Sequence, residues 1–251
     1  MTKTPASSQS SYELFYWPSI QGRGEFVRLA FEATETAYVD VGRLPRDDGG
    51  GVPALIALLD GQQADAPLPF APPILRHGST LVAHTANILQ YVGPRIGLSP
   101  TDDVGRLAVH QHQLTITDFL VEVHDTHHPI GVDLYYDDQK PESLRRAQNF
   151  IGQRMPKFLG YFERLLQRNG GGRAYGGALT YVDLSLFQVV AGLDYALPRA
   201  SARIAAKVPL LRKLHDAVAA LPPVAAYLAS PRRIAFNMHG LFRHYPELDE
   251  G

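Results

Sequence analysis

The apolar residues of this chain change period part-way along, and that change limits the architectures open to it. Before residue 93, short alternating segments are interleaved with turns and single helical stretches. Beyond residues 93–101, GPRIGLSPT, only the helical period recurs. A chain of this kind divides into a strand-and-helix half and a helical half, with the Pro/Gly segment as the boundary. The first half opens on residues 12–33, YELFYWPSIQGRGEFVRLAFEA. Tyr12, Leu14 and Tyr16 fall on one face of a period-two strand, with Glu13, Phe15 and Trp17 on the other, until Pro18, which has no amide hydrogen, ends the ladder. Gly22 and Gly24 permit a tight turn. Phe26, Leu29, Ala30 and Ala33 then mark the buried stripe of a helix. Such a unit presents the free amides of a helix amino terminus to a ligand, with Tyr16 at the strand end and Arg23 at the helix start.

A second stretch, residues 72–92, PPILRHGSTLVAHTANILQYV, supplies the complement. Pro72 and Pro73 open a strand through Ile74 and Leu75, His77-Gly78-Ser79 turns the chain, and Leu81 and Val82 form the return strand. Thr85 then caps a helix starting near Ala86. Together the two stretches resemble the glutathione-binding half of the cytosolic glutathione transferases of the tyrosine type, the alpha, mu, pi and sigma classes. The resemblance implies an α/β thioredoxin-like amino-terminal domain over residues 12–93 and an all-α carboxyl-terminal domain over 102–251, preceded by a flexible tail over 1–11. It also implies a cis-proline at Pro73. His84 and Thr85 occupy the positions where the family carries an acid or Gln followed by Ser or Thr, and His84 departs from that pattern.

Composition narrows the chemistry. A net charge of −1 over 251 residues gives no footprint for nucleic acid or an anionic membrane. The absence of cysteine removes disulfides, thiol catalysis and thiolate metal sites, and with them the transferase classes that form a mixed disulfide with glutathione. The polar start, MTKTPASSQSS, has no signal-like apolar core. No run approaches the roughly 20 apolar residues of a membrane helix. A soluble, cytoplasmic protein is expected.

Within residues 42–69 the Gly-rich entry and the run from Val52 to Leu59 predict one short helix, with Pro53 in its first turn and Gly61 past its end. Arg43 and Arg46 are candidates for the glycyl carboxylate of glutathione, or solvated surface residues. Helices are expected over about 102–126, 142–168, 181–197, part of 202–207, and 210–220, with Met155, Phe158, Leu159, Phe162, Leu165 and Leu166 forming a core stripe. Thr180-Tyr-Val-Asp183 reads as a capping box, a folding element the family shares, rather than as a catalytic acid.

The resemblance implies reduced glutathione as co-substrate, with its thiol activated for attack on an apolar electrophile. Free cysteine has a pKa near 8.5, so lowering a similar thiol by about two units takes roughly 2.7 kcal/mol of differential stabilisation. Tyr16 ranks first as the hydroxyl that stabilises the thiolate. The loop is about one residue longer than the family pattern, which puts Ser19 where serine-type classes place theirs, and Arg23 matches a family arginine near the sulfur. Thr85 is the strongest glutathione ligand, beside His84, with Pro73 orienting the backbone of Pro72 or Ile74 against the cysteinyl part. Asp118 fits the acidic residue that dimeric classes extend to glutathione in the other subunit, or is a surface residue. A homodimer is implied. The alternatives are a non-catalytic glutathione- or ligand-binding protein of the same fold, or a glutathione-dependent isomerase, peroxidase or lyase.

His110, His112, His124, His127 and His128 crowd one region, with His124 and His128 spaced i, i+4. The H-E-x-x-H pattern is absent and Pro129 follows at once. No metal is expected, and the end of this helix is expected to line the second-substrate pocket. For the aromatic carboxyl end, with Phe236, Met238, Phe242 and Tyr245, covering the cleft and covering the core are both open.

Overall fold

The computed structural model describes residues 11–62 and 67–250. The expected tail over 1–11 therefore lies outside the described residues except for Ser11, as does part of the 42–69 segment.

Four strands, β1 (Tyr12–Phe15), β2 (Tyr38–Asp40), β3 (Ile74–His77) and β4 (Thr80–Ala83), form one sheet in the order β2-β1-β3-β4. The β1–β2 pair is parallel and the others are antiparallel. A parallel pair needs a crossover, supplied here by helix α1 (Glu25–Ala33), whereas β3 and β4 are joined by the two residues Gly78 and Ser79. The alternation read from the sequence decides the two faces. Leu14 and Leu75 pair in register and pack with Val27 and Phe31 of α1 and with Ile88 and Val92 of α3 (Thr85–Val92). Phe15 and Ile74 face the other way, onto Val41 and onto Leu55 and Leu58 of α2 (Gly51–Leu59).

Beyond residue 102, seven helices follow: α4 (Asp103–Asp125), α5 (Lys140–Asn149), α6 (Met155–Arg168), α7 (Tyr181–Ala196), α8 (Pro198–Ala205), α9 (Pro209–Ala219) and α10 (Pro222–Leu228). This is the α/β thioredoxin-like plus all-α arrangement. α7 is buried along nearly its whole length. Its Asp183 is fully enclosed and accepts from the amides of Thr180 and Ala174, both at 2.7 Å, and from the Thr180 hydroxyl at 2.9 Å. Burial pushes this carboxyl up, and those three donors pull it back. The capping box is thus a satisfied structural element.

Three helical expectations are corrected. The segment 142–168 is not one uniform helix: a π-helical turn, Phe150–Arg154, separates α5 from α6. Pro156 has no N–H to give the preceding turn, and the wider turn absorbs the lost bond. α8 begins at Pro198, ahead of the expected 202, and its first amides, those of Arg199 and Ala200, donate to the Asp249 carboxylate at 2.6 and 2.9 Å. α10 lies beyond the last expected helix, 210–220, and both Pro222 and Pro223 sit in its first turn, where a missing amide costs nothing.

The carboxyl-terminal segment covers core. Leu241, Phe242 and Leu248 are buried, and Phe242 lies so close to α7 that a Cβ at Gly192 would come within 2.4 Å of its ring. The two halves meet where α1 packs on α7 and α10 and α3 packs on α4.

Candidate active site

A cavity of about 450 Å³ opens where the two halves meet, lined by Arg23, Pro72, Pro73, His84, Thr85, Thr117, Leu120 and the segment 68–71. A larger hollow, about 730 Å³, lies at the β2 edge beside α10 and holds, of the candidate residues, only Arg43. The Arg43 guanidinium lines that hollow and is spent on the carbonyls of Arg232 and Pro231, at 2.6 and 3.2 Å. Arg46 lies beside α2. Neither reaches the smaller cavity.

One wall of the cavity is backbone. The Pro72–Pro73 bond is cis. His84 adopts φ 73°, uncommon for a residue with a side chain, and its amide donates to the Pro73 carbonyl at 3.3 Å. Such a conformation costs on the order of 1–3 kcal/mol and persists where the flanking structure dictates it, here β4 on one side and α3 on the other. Thr85 is the first helical residue of α3 rather than its cap, and His84 stands at the cap position with no side-chain capping bond. The Thr85 hydroxyl donates instead to the Arg23 carbonyl at 3.3 Å, tying the start of α3 to the start of α1. The first α3 amide to bond back is that of Ile88, to His84 O, so the amides of Thr85, Ala86 and Asn87 make up the open amino terminus of the helix. Pro72 lines the cavity and offers only a carbonyl. Ile74 is fully buried in the sheet core and is not brought to it.

The opposite wall is side chain. The Arg23 guanidinium faces the cavity and, among the described residues, makes no hydrogen bond or ion pair. Tyr16 lies behind Arg23, only 5 % exposed, and is not itself among the residues lining the cavity. Its hydroxyl accepts from the Arg23 amide at 2.8 Å and lies so close to Gly22 that a Cβ there would come within 2.1 Å of it. Burial pushes the Tyr16 phenol up in pKa, against the pull of the Arg23 amide and the nearby Arg23 and Arg28 charges, so it keeps its proton at neutral pH. It can therefore donate as well as accept. Ser19 is exposed, does not line the cavity, and has its carbonyl held by Asn237 at 2.9 Å. Asp118 is exposed on a different side of α4 from Thr117 and Leu120, which line the cavity.

Sequence reading missed what positions this wall. Glu25 and Arg28, both fully buried, pair across one turn of α1 at 3.3 Å. Glu25 accepts from the Tyr227 hydroxyl at 2.6 Å and from Arg233 at 2.5 Å, and Arg28 binds Asp40 at 2.7 Å and the carbonyls of Ile20 and Gln21. Gln21 joins Gln188 of α7 at 2.8 Å, and Gln188 in turn accepts from Arg233. This network fixes the loop between Tyr16 and Arg23 from beneath. Its only sequence signal was an acid and a base, three apart, within an apolar helix.

The histidines separate into two groups. His112 bonds the Tyr161 hydroxyl at 3.0 Å, and His110 lies near His84. His124, His127 and His128 converge at the carboxyl end of α4, with one nitrogen of each within 4.8 Å of the others. Burial lowers all three, His124 to about 4 and His127 to about 3, so the rings are neutral at pH 7.

Residues 124–231 match the family model described as the glutathione S-transferase carboxyl-terminal domain. A glutathione S-transferase of Plasmodium yoelii yoelii is 21 % identical over 217 residues, covering 86 % of this chain and 92 % of the relative. Among solved structures, the pi-class glutathione S-transferase of Onchocerca volvulus superposes with a TM-score of 0.65 at 20 % identity, over 87 % of this chain and 92 % of that one. Prostaglandin synthase D of Nilaparvata lugens superposes equally well, TM-score 0.65, at 18 % identity over 88 % and 98 %. With the cis-proline, the open α3 terminus and the capping box in place, the chain has the fold of the cytosolic glutathione transferases, and its residues 124–231 match their carboxyl-terminal domain.

Proposed function

We propose that the protein is a glutathione transferase whose smaller cavity holds reduced glutathione and activates its thiol for attack on an apolar electrophile. The observation that carries this reading is that the unpaired Arg23 guanidinium and the open amino terminus of α3 line one cavity. Both ends of that arrangement favour anions. The α3 amides and the Thr85 hydroxyl suit the γ-glutamyl carboxylate, while Arg23 supplies positive charge beside the sulfur. The Tyr16 hydroxyl, polarised by the Arg23 amide, would donate a hydrogen bond to the thiolate while keeping its proton. Leu120 and the exposed Leu68 and Phe70 give the remaining lining an apolar character suited to the second substrate.

A homodimer goes with this reading. Val104, Leu107, Leu114 and Val121 are exposed on α4 at alternating spacings that also include Gln111 and Asp118, the seam of a helix that pairs with another. Asp118, exposed on that seam, would serve a second copy's glutathione in this reading. Sedimentation should give twice the chain mass, reverting to one chain mass in Leu107→Glu.

A second reading, glutathione binding without catalysis, is favoured by the burial of Tyr16. Turnover of a chromogenic aryl halide with glutathione separates the two. Saturable conjugation, absent without glutathione, supports the enzyme; calorimetric glutathione binding with no turnover of several electrophiles supports the carrier. Absence of binding removes both.

A further inference from the structure

We propose that His124, His127 and His128 form a binding site for a divalent transition metal of the zinc type, with a fourth position open to an anion or water. The sequence expectation was of no metal, because the spacing matches no familiar motif. The fold supplies what the spacing does not. His124 sits in the last turn of α4, and the amides of His127 and His128 both donate to its carbonyl, at 3.2 and 3.1 Å, so a single tight turn carries all three rings. The His124 and His128 rings stack with centroids 4.9 Å apart.

The hydrogen bonds determine the tautomers. His127 Nε2 lies 3.0 Å from the Leu241 carbonyl, which can only accept, so this nitrogen carries the proton and Nδ1 is bare. His127 Nδ1 lies 2.6 Å from His128 Nδ1, which must therefore donate to it. A bare imidazole nitrogen whose partner nitrogen donates to a backbone carbonyl is the orientation found in metal-ligating histidines. Imidazole donors suit zinc, copper and nickel.

Zinc–nitrogen bonds of about 2.0–2.1 Å require tetrahedral nitrogens about 3.3 Å apart. The nitrogens, all within 4.8 Å of one another, reach this by ring rotation, and the His127–His128 pair must open slightly. On loading, the proton on His128 Nδ1 moves to Nε2, leaving both Nδ1 lone pairs to the ion. Three neutral rings cancel none of the ion's charge, and the Arg23 and Arg243 charges bear on His124. An anionic fourth ligand offsets this. Because the His127 ring holds Leu241 of the carboxyl-terminal segment, the ion also clamps that segment to α4.

The test is zinc titration of the full-length, chelator-stripped protein by competition with a chromogenic chelator, with cobalt substitution as the spectroscopic readout. One zinc per chain, a rise in melting temperature on loading and the intense visible band of tetrahedral cobalt are expected. His127→Ala loses the Leu241 contact and can fail to fold, so the half-exposed His124→Ala and the variant His128→Gln are used, with folding checked by circular dichroism. Each should weaken zinc binding at least tenfold, while His244→Ala leaves it unchanged. Absence of a stoichiometric ion at submillimolar zinc, or binding that survives in His124→Ala and His128→Gln, overturns the proposal.

Discussion

The cavity wall at Pro73, His84 and Thr85 is a backbone surface, whereas the wall at the start of α1 consists of side chains held by buried charges. The first needs only a proline pair, a hairpin and a helix start, all specified within residues 72–92. The second needs groups brought from β2, α7, α10 and residue 233 to meet under one loop. Local geometry therefore makes the binding surface, and long-range packing makes the surface that would act on the sulfur. Disturbing the two walls should have different consequences.

The largest effect is expected beneath the side-chain wall. Glu25→Ala leaves Arg28 and Arg233 without their shared carboxylate in a dry site and should cost about 3–5 kcal/mol in urea unfolding. A loss below 1 kcal/mol would mean that the network does not hold the loop. Next is the charge the network presents. Arg23→Leu removes no protein partner, so melting should change little, while glutathione affinity falls by roughly 10- to 100-fold by calorimetry, the loss of one charge-assisted hydrogen bond. An unchanged affinity would assign recognition to the backbone wall alone.

The smallest effect is at the far end of α4. Glu122 accepts from Arg154 and Arg146, and those bonds, Arg154 foremost, hold its carboxyl below the usual range despite burial. A depressed carboxylate contributes stability above its unfolded pKa, about 4.5, that is lost as pH falls through the folded value. Glu122→Gln should therefore cost about 0.5 kcal/mol at pH 7, screened by solvent, and the difference should vanish in acid. Persistence of the difference at low pH would assign it to packing.

What was legible in the sequence follows the same division. Strand faces, the hairpin and the capping box of α7 are set by neighbours in the chain, and periodicity or turn chemistry reveals them; the cis-proline position came from the resemblance to the glutathione transferases. The Glu25 network was invisible because its partners, Tyr227, Arg233 and Gln188, lie some 160 to 210 residues away. The burial of the Ile74 side chain was not legible because the sheet face that covers it depends on α2. The short α10 was missed because a proline pair looks the same at the start of a helix and within a turn. The histidine triad was discounted on spacing, while the contact that orients His127 comes from Leu241, far along the chain.

The central claim is that the side-chain wall lowers the pKa of bound glutathione's thiol. An ultraviolet difference titration of the protein with reduced glutathione across pH tests it directly. The account predicts a thiolate band appearing well below the free thiol's pKa of about 8.5, shifted back toward that value in Tyr16→Phe. A bound thiol that titrates at its free value in the unaltered protein would contradict it, leaving a cleft that binds glutathione without activating it.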